Sequence, residues 1–104
     1  MEEAKDFVDK LDTKAREKIL YNIWKSRFST DKNLFKKLND DIWEFRTLFN
    51  KTYYRMFAFR DKDDKRNILV IATHGIVKKT DKTPEKEINR AVSLKNEYII
   101  SKRK

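Results

Sequence analysis

The chain has 104 residues, 26 of them Lys or Arg and 17 Asp or Glu, giving a net charge of +9 at pH 7. That length fits one domain, residues 1–104, with no room for a second core, and a 12% aromatic share at periodic positions excludes a disordered tail. With no cysteine and one histidine, disulfides, thiol chemistry and a structural zinc site are excluded.

The excess positive charge favours nucleic acid or another acidic partner, against the blander reading of a lysine-rich solvated surface. Placement supports the former, because acidic residues gather near the N-terminus while the strand region is basic. No apolar run reaches membrane-spanning length, and Met1-Glu2-Glu3-Ala4 lacks the basic start of a signal peptide. A soluble cytoplasmic protein is expected.

Ala4, Phe7, Val8 and Leu11 fall at helical spacing and predict a first helix over Glu2–Leu11. Asp12 suits the N-cap of a second helix beginning at Thr13. Its apolar positions Ala15, Ile19, Leu20, Ile23, Trp24 and Phe28 form a stripe to be aimed at a sheet. Lys14, Arg16, Lys18, Lys25 and Arg27 mark the opposite face, for which a DNA groove is the weaker alternative. Residues 29–33 break the pattern. Leu34, Phe35 and Leu38 fit a short helix or a packed loop, and Asn39-Asp40-Asp41 is a turn signal.

The stretch from Ile42 to Pro84 organises the rest. Residues 42–46, 53–60 and 68–77 are aromatic or β-branched runs ended by polar residues, which predicts three consecutive antiparallel strands. Turns fall near Asn50-Lys51 and across residues 61–66. Alternation sets Ile42, Glu44 and Arg46 against Trp43, Phe45 and Thr47. It likewise sets Tyr53, Arg55, Phe57 and Phe59 against Tyr54, Met56, Ala58 and Arg60. Gly75, the only glycine, marks a bulge or a close backbone approach.

Thr83 suits an N-cap, Pro84 the first helical position, and Glu85 and Glu87 the positive start of a final helix. Ile88, Ala91, Val92, Leu94, Tyr98 and Ile99 form its apolar side, ahead of a basic tail, residues 101–104, expected to fray. The expected fold is α+β: two N-terminal helices on a small antiparallel sheet of three to four strands, with a C-terminal helix. Most of the helix should cover one sheet face.

Charges inside apolar strands must reach solvent across an open face or find a partner. Arg46 and Arg55 can offer planar guanidinium groups to a phosphate. Lys78, Lys79 and Lys82 extend that surface where the third strand ends, and Arg60 adds a further cation for RNA. Tyr53 and Tyr54 can stack on unpaired bases. The competing structural reading pairs Glu44 with one arginine across the strands and puts the tyrosines in the core.

RNA cleavage needs little more. The 2′-hydroxyl can attack its own neighbouring phosphate, so no metal or cofactor is required; the protein orients the phosphate, stabilises charge and helps move protons. Arg55 suits charge stabilisation, while a lysine with a lowered pKa, a tyrosine or Glu44 suits proton transfer. His74 is a further candidate base or RNA contact, although a lone strand histidine is more often structural.

Ile42-Trp43-Glu44-Phe45-Arg46, Tyr54-Arg55-Met56-Phe57, and His74-Gly75-Ile76-Val77-Lys78-Lys79-Thr80 through Lys82-Thr83-Pro84 resemble the phage-derived HigB-type branch of the RelE/ParE toxin superfamily. Its pattern is roughly L-W-E-L-R, Y-R-V-F-Y and H-G-F-x-K-K-T-x-K-T-P before a terminal helix. The resemblance spans nearly the whole chain and implies a RelE-like fold. It also implies a toxin of a type II toxin–antitoxin pair, a ribosome-dependent mRNA endoribonuclease that arrests translation. Its partners would be the ribosome, mRNA and a helix-turn-helix, HigA-like antitoxin.

Arg46 and Arg55 match the family's strand arginines, and Lys78, Lys79 and Lys82 match its lysine motif. By that likeness Arg55 would stabilise phosphate charge, the lysines would hold RNA backbone, and one of them would assist proton transfer. Three departures stand out. Asn50-Lys51-Thr52 replaces the glycine before the Tyr-Arg pair, Phe45 replaces a leucine, and the C-terminal tyrosine or Asp-His set of some relatives is missing. A ParE-like gyrase inhibitor and a non-catalytic RNA-binding module are the alternatives.

Overall fold

The computed structural model describes residues 1–39, 41–61 and 70–102. In chain order the elements are α1 (Glu2–Asp9), α2 (Thr13–Ser26), β1 (Phe35–Lys37), β2 (Ile42–Phe49), β3 (Thr52–Arg60), β4 (Val70–Lys78) and α3 (Glu85–Lys102). The strands form one antiparallel sheet in the order β1-β2-β3-β4. This is the expected α+β architecture with four strands.

Asp12 caps α2 by accepting from the Ala15 N–H at 3.0 Å. The β2–β3 hairpin turns through Asn50 and Lys51, whose φ angles of 52° and 60° fit a two-residue type I′ turn built without glycine. Residues 34–38, expected as a short helix or loop, instead supply the edge strand β1. The pleat suits them better: the Phe35 ring stacks on Trp43 and Phe45 at 4.6 and 4.4 Å. Ile68 and Leu69 of the expected third strand, and residues 62–66 of the expected turn, lie outside the described residues.

Helices cover both sheet faces, which corrects the expectation of one covered face. On the first face, α1 and α2 pack Ala4, Ile19, Phe7 and Val8 around Met56, Phe45 and Tyr54 of the sheet. Gly75 is needed there because a Cβ would overlap the Phe7 ring. With that face filled, the apolar side of α3 takes the other one, where Ala91 and Ile88 join Ile42, Phe57 and Phe59. Asp61, expected in a polar turn, is buried and ties down the end of α3 by accepting from the Tyr98 hydroxyl at 2.8 Å and Lys102 Nζ at 2.7 Å. The helix is therefore ordered through Lys102, where fraying was expected; residues 103 and 104 lie outside the described residues.

The facing of α2 also differs from expectation. Its buried line is Ala15, Ile19 and Asn22, while Leu20, Trp24 and Phe28 are exposed. A polar residue sets that rotation: the buried Asn22 amide donates to Thr47 Oγ1 on β2 at 3.1 Å.

Candidate functional site

The sheet face under α3 is apolar at only one end. Register pairs Ile42 with Phe59 and Glu44 with Phe57, and further along Arg46 directly opposes Arg55, with Lys78 beside Tyr53. Like charges directly opposite one another destabilise a sheet unless something neutralises them. Two carboxylates do so. Glu44 Oε1 lies 3.3 Å from Arg46 Nε and 3.6 Å from Arg55 Nε. From the segment after β4, Asp81 Oδ1 accepts from Arg46 Nη2 at 2.7 Å and from Arg55 Nη2 at 2.5 Å.

The rest of the cluster holds these groups in place. Arg55 also donates to the Asp81 carbonyl at 3.1 Å, and its guanidinium lies 5.2 Å from the centre of the Tyr53 ring. Thr83 donates its hydroxyl to Glu44 Oε2 at 2.8 Å. It is thus an anchor for the carboxylate, where an N-cap role was expected.

Burial separates the two carboxylates. The side chains of Glu44 and Arg55 are 1% and 2% exposed, whereas that of Asp81 is 63% exposed. Burial, and then the charge of Arg46, pull the Arg55 pKa below its ordinary value, although a guanidinium stays charged at neutral pH. Lys78 Nζ is buried and has no hydrogen-bond partner among the described residues. Burial first, then the neighbouring Arg55, lower the Lys78 pKa, so it releases its proton more readily than a solvated lysine. Chemically, two guanidinium groups converging on one oxygen form an oxyanion receptor, filled here by the chain's own Asp81. A cleft of about 250 Å³ opens beside it, lined by Asn33, Arg46, Leu48, Tyr53, Arg55 and Asp81.

Residues 6–96 match the family model described as phage-derived protein Gp49-like (DUF891). The chain belongs to this Gp49-like family. No curated protein and no solved structure matches it. The matched span contains every residue of the ionic cluster. Among the described residues, no helix is long and apolar enough to cross a membrane.

In this Gp49-like protein the structure brings together Arg46, Arg55, Tyr53 and Lys78 of the sequence-derived site. Lys79 and Lys82 are exposed on the segment beyond β4. Three expected RNA contacts do not belong to the cluster. Tyr54 points to the other sheet face and packs into the cluster of Ala4, Ile19 and Met56. Arg60 is on that other face too, 5.1 Å from the Trp43 ring centre. His74 shares the face of Arg55 but lies beneath α3 and is 1% exposed.

The His74 ring stacks on Phe57 at 4.8 Å. Its Nδ1 is 3.1 Å from the Thr73 hydroxyl and its Nε2 is 3.1 Å from Glu87 Oε1. Burial lowers its pKa, followed by the charge of Arg90, while Glu87 and Glu3 oppose that shift. His74 is packed as part of the core, and its burial favours the neutral imidazole. Sequence reasoning missed Asp81. Its signal was present: Asp81 is the one acid within the run Lys78-Lys79-Thr80-Asp81-Lys82.

Proposed function

We propose that this Gp49-like protein is a HigB-type toxin that arrests growth by cutting mRNA on the ribosome, as an endoribonuclease whose chemistry needs only protein side chains. The observation that carries the reading is the meeting of Arg46 and Arg55 on a single carboxylate oxygen beside the buried Lys78 amine. A phosphate non-bridging oxygen has the same charge and hydrogen-bonding needs as that carboxylate oxygen. On binding, the phosphodiester displaces Asp81 and accepts from both guanidinium groups.

The RNA 2′-oxygen then attacks phosphorus, the bond to the 5′-oxygen of the next nucleotide breaks, and a 2′,3′-cyclic phosphate and a 5′-hydroxyl result. Charge grows on the non-bridging oxygens during attack, where Arg55 and Arg46 stabilise it. Lys78, readier than an ordinary lysine to be neutral, takes the 2′-hydroxyl proton, and the ammonium so formed can return a proton to the leaving oxygen. Lys79 and Lys82 hold the flanking backbone. A helix-turn-helix antitoxin of the HigA type completes the pair.

The test is incubation of an mRNA with the purified protein, with and without translating ribosomes, followed by mapping of the new ends. Cuts that need ribosomes and vanish in Arg55→Ala support the reading. Intact mRNA in both arms would overturn it and turn attention to DNA gyrase.

A further inference from the structure

Helix α2 turns large apolar side chains outward. Leu20, Tyr21, Trp24 and Phe28 are 50%, 52%, 53% and 72% exposed. Their rings touch one another: Tyr21 and Trp24 centroids are 6.0 Å apart, and Trp24 and Phe28 are 5.3 Å apart, edge to face. At its C-terminal end the stripe runs into a groove of about 910 Å³ between α2 and the β1–β2 edge of the sheet. Trp43 lines its floor, and Arg27 joins the two parts, lining the groove while lying 5.6 Å from the centre of the Phe28 ring.

A contiguous patch of this kind is a binding surface more often than an accident of composition. Its charges define the occupant. Every ionisable side chain among the described residues lining the groove is basic. Lys18 lies over Tyr21 at 5.7 Å and Lys37 over Trp43 at 5.8 Å. Two copies of this chain would bring like-charged rims together, which opposes self-association.

RNA fits the floor poorly. Phe35 already stacks on Trp43 and Phe45, and Lys37 and Arg60 lie over Trp43. The exposed rings of α2 are tilted or edge to face, so they offer no parallel shelf for successive bases. Leu20 and Trp24 on α2, with Phe28 two residues past its end, instead make an apolar ridge, the shape that another helix packs against.

We propose that this surface docks an acidic amphipathic helix from a partner protein, its apolar side on Leu20, Trp24 and Phe28 and its carboxylates against the basic rim. The surface lies on the opposite side of the sheet from Arg46 and Arg55, and the proposal holds whether or not the protein cuts RNA.

The probe is a designed helix of about 20 residues, leucine along one side and glutamate elsewhere. Its controls are the same helix with lysine for glutamate and a short oligouridylate. Each is titrated into the ¹⁵N-labelled full chain while the indole signals of Trp24 and Trp43 are followed by NMR. The acidic helix is expected to shift both indoles saturably. Trp24→Ala, read at Trp43, and Arg27→Glu should each weaken binding by about tenfold or more. Both positions are exposed, and an unchanged circular dichroism spectrum verifies folding. Silence with the acidic helix at millimolar concentration would overturn the proposal. So would equal binding of the basic helix, tighter shifts with oligouridylate, or indole shifts that follow protein concentration alone.

Discussion

The sheet face under α3 has two halves that solve burial differently. At one end Ile42, Phe57 and Phe59 meet a helix, and the buried imidazole there, His74, is satisfied by Thr73 and Glu87. At the other end Glu44, Arg46, Arg55 and Lys78 meet the segment after β4, through Asp81 and Thr83, and Arg46 also donates to the Lys32 carbonyl before β1 at 3.4 Å. The first half can be closed for good, because the polar groups beneath the helix, His74 and Asp61, find their partners within the chain. The ionic half carries three cations for each buried carboxylate, counting Arg46, Arg55 and Lys78 against Glu44. It requires an anion from above, and the chain supplies one on an exposed side chain. Permanent packing and replaceable neutralisation thus sit side by side on β2, β3 and β4.

The largest effect should come from removing the centre of the ionic half. Arg55→Ala is expected to lower mRNA cleavage, and with it growth arrest, by on the order of a thousandfold. Because Arg55 is buried against Glu44, the same change should lower stability by about 2–3 kcal/mol, measured by urea unfolding. Arg55→Lys separates these effects. It keeps a charge beside Glu44 but loses the planar fork, so stability should largely return while cleavage stays low. A folded Arg55→Ala protein with full toxicity would place the chemistry elsewhere.

How much of this division was legible in the sequence depended on which physical signal each residue carries. Strand alternation exposed Arg46 and Arg55 as charges in apolar runs, and it had already put Tyr54 and Arg60 on the side away from Arg55. Those two were grouped with the site by residue type, against their facing, and the structure places them on the other sheet face. His74 was ambiguous because a strand pattern cannot say which sheet face a distant helix will cover. The rotation of α2 was hidden for a similar reason: Leu20, Trp24 and Phe28 make as good a stripe as Ala15 and Ile19 until Asn22 is known to reach Thr47. Asp81 drew no reading because its partners come from strands 26 and 35 residues away in the chain.

Lys78 gives the next test. Lys78→Met keeps the length of the chain and removes the amine. Cleavage should fall by roughly a hundredfold if the amine moves a proton. Stability near neutral pH should rise by about 1 kcal/mol, since an unpartnered buried ammonium is a cost of folding. The pH dependence has a definite sign. The folded-state pKa lies below 10.5, so between that lowered value and 10.5 the unfolded chain holds the proton more tightly. Wild-type stability therefore gains from this group as pH rises through that window, and Lys78→Met should lack the gain. Equal cleavage by the variant and the wild type would remove Lys78 from the chemistry.

The apolar half predicts the complementary pH response at the acid end. His74 has a folded-state pKa below 6.5 because of burial, with Arg90 adding to the shift and Glu87 and Glu3 opposing it. Its neutral form contributes stability that is present above 6.5 and lost as pH falls through 6.5 toward the lowered value. Urea unfolding between pH 7.5 and 5 should show this loss, and His74→Gln should flatten it. A wild-type curve level across that range would contradict a buried neutral imidazole.

The smallest change separates the two carboxylates of the ionic half. Asp81→Asn keeps the shape of the side chain and removes the charge that competes with phosphate. Single-stranded RNA should bind several-fold more tightly at low salt, with the advantage shrinking as salt screens it. The stability loss should stay below about 1 kcal/mol because this carboxylate is largely solvated. Glu44→Gln removes the same charge from beneath the same arginines, yet the opposite result is expected. With Glu44 1% exposed, its loss leaves Arg46 and Arg55 opposed inside the sheet and should cost about 2–3 kcal/mol without improving RNA binding. If both variants behaved alike, Asp81 would be as much a part of the scaffold as Glu44. A tighter Asp81→Asn beside a weakened Glu44→Gln would show that burial alone decides which acid holds the arginines and which one yields to phosphate.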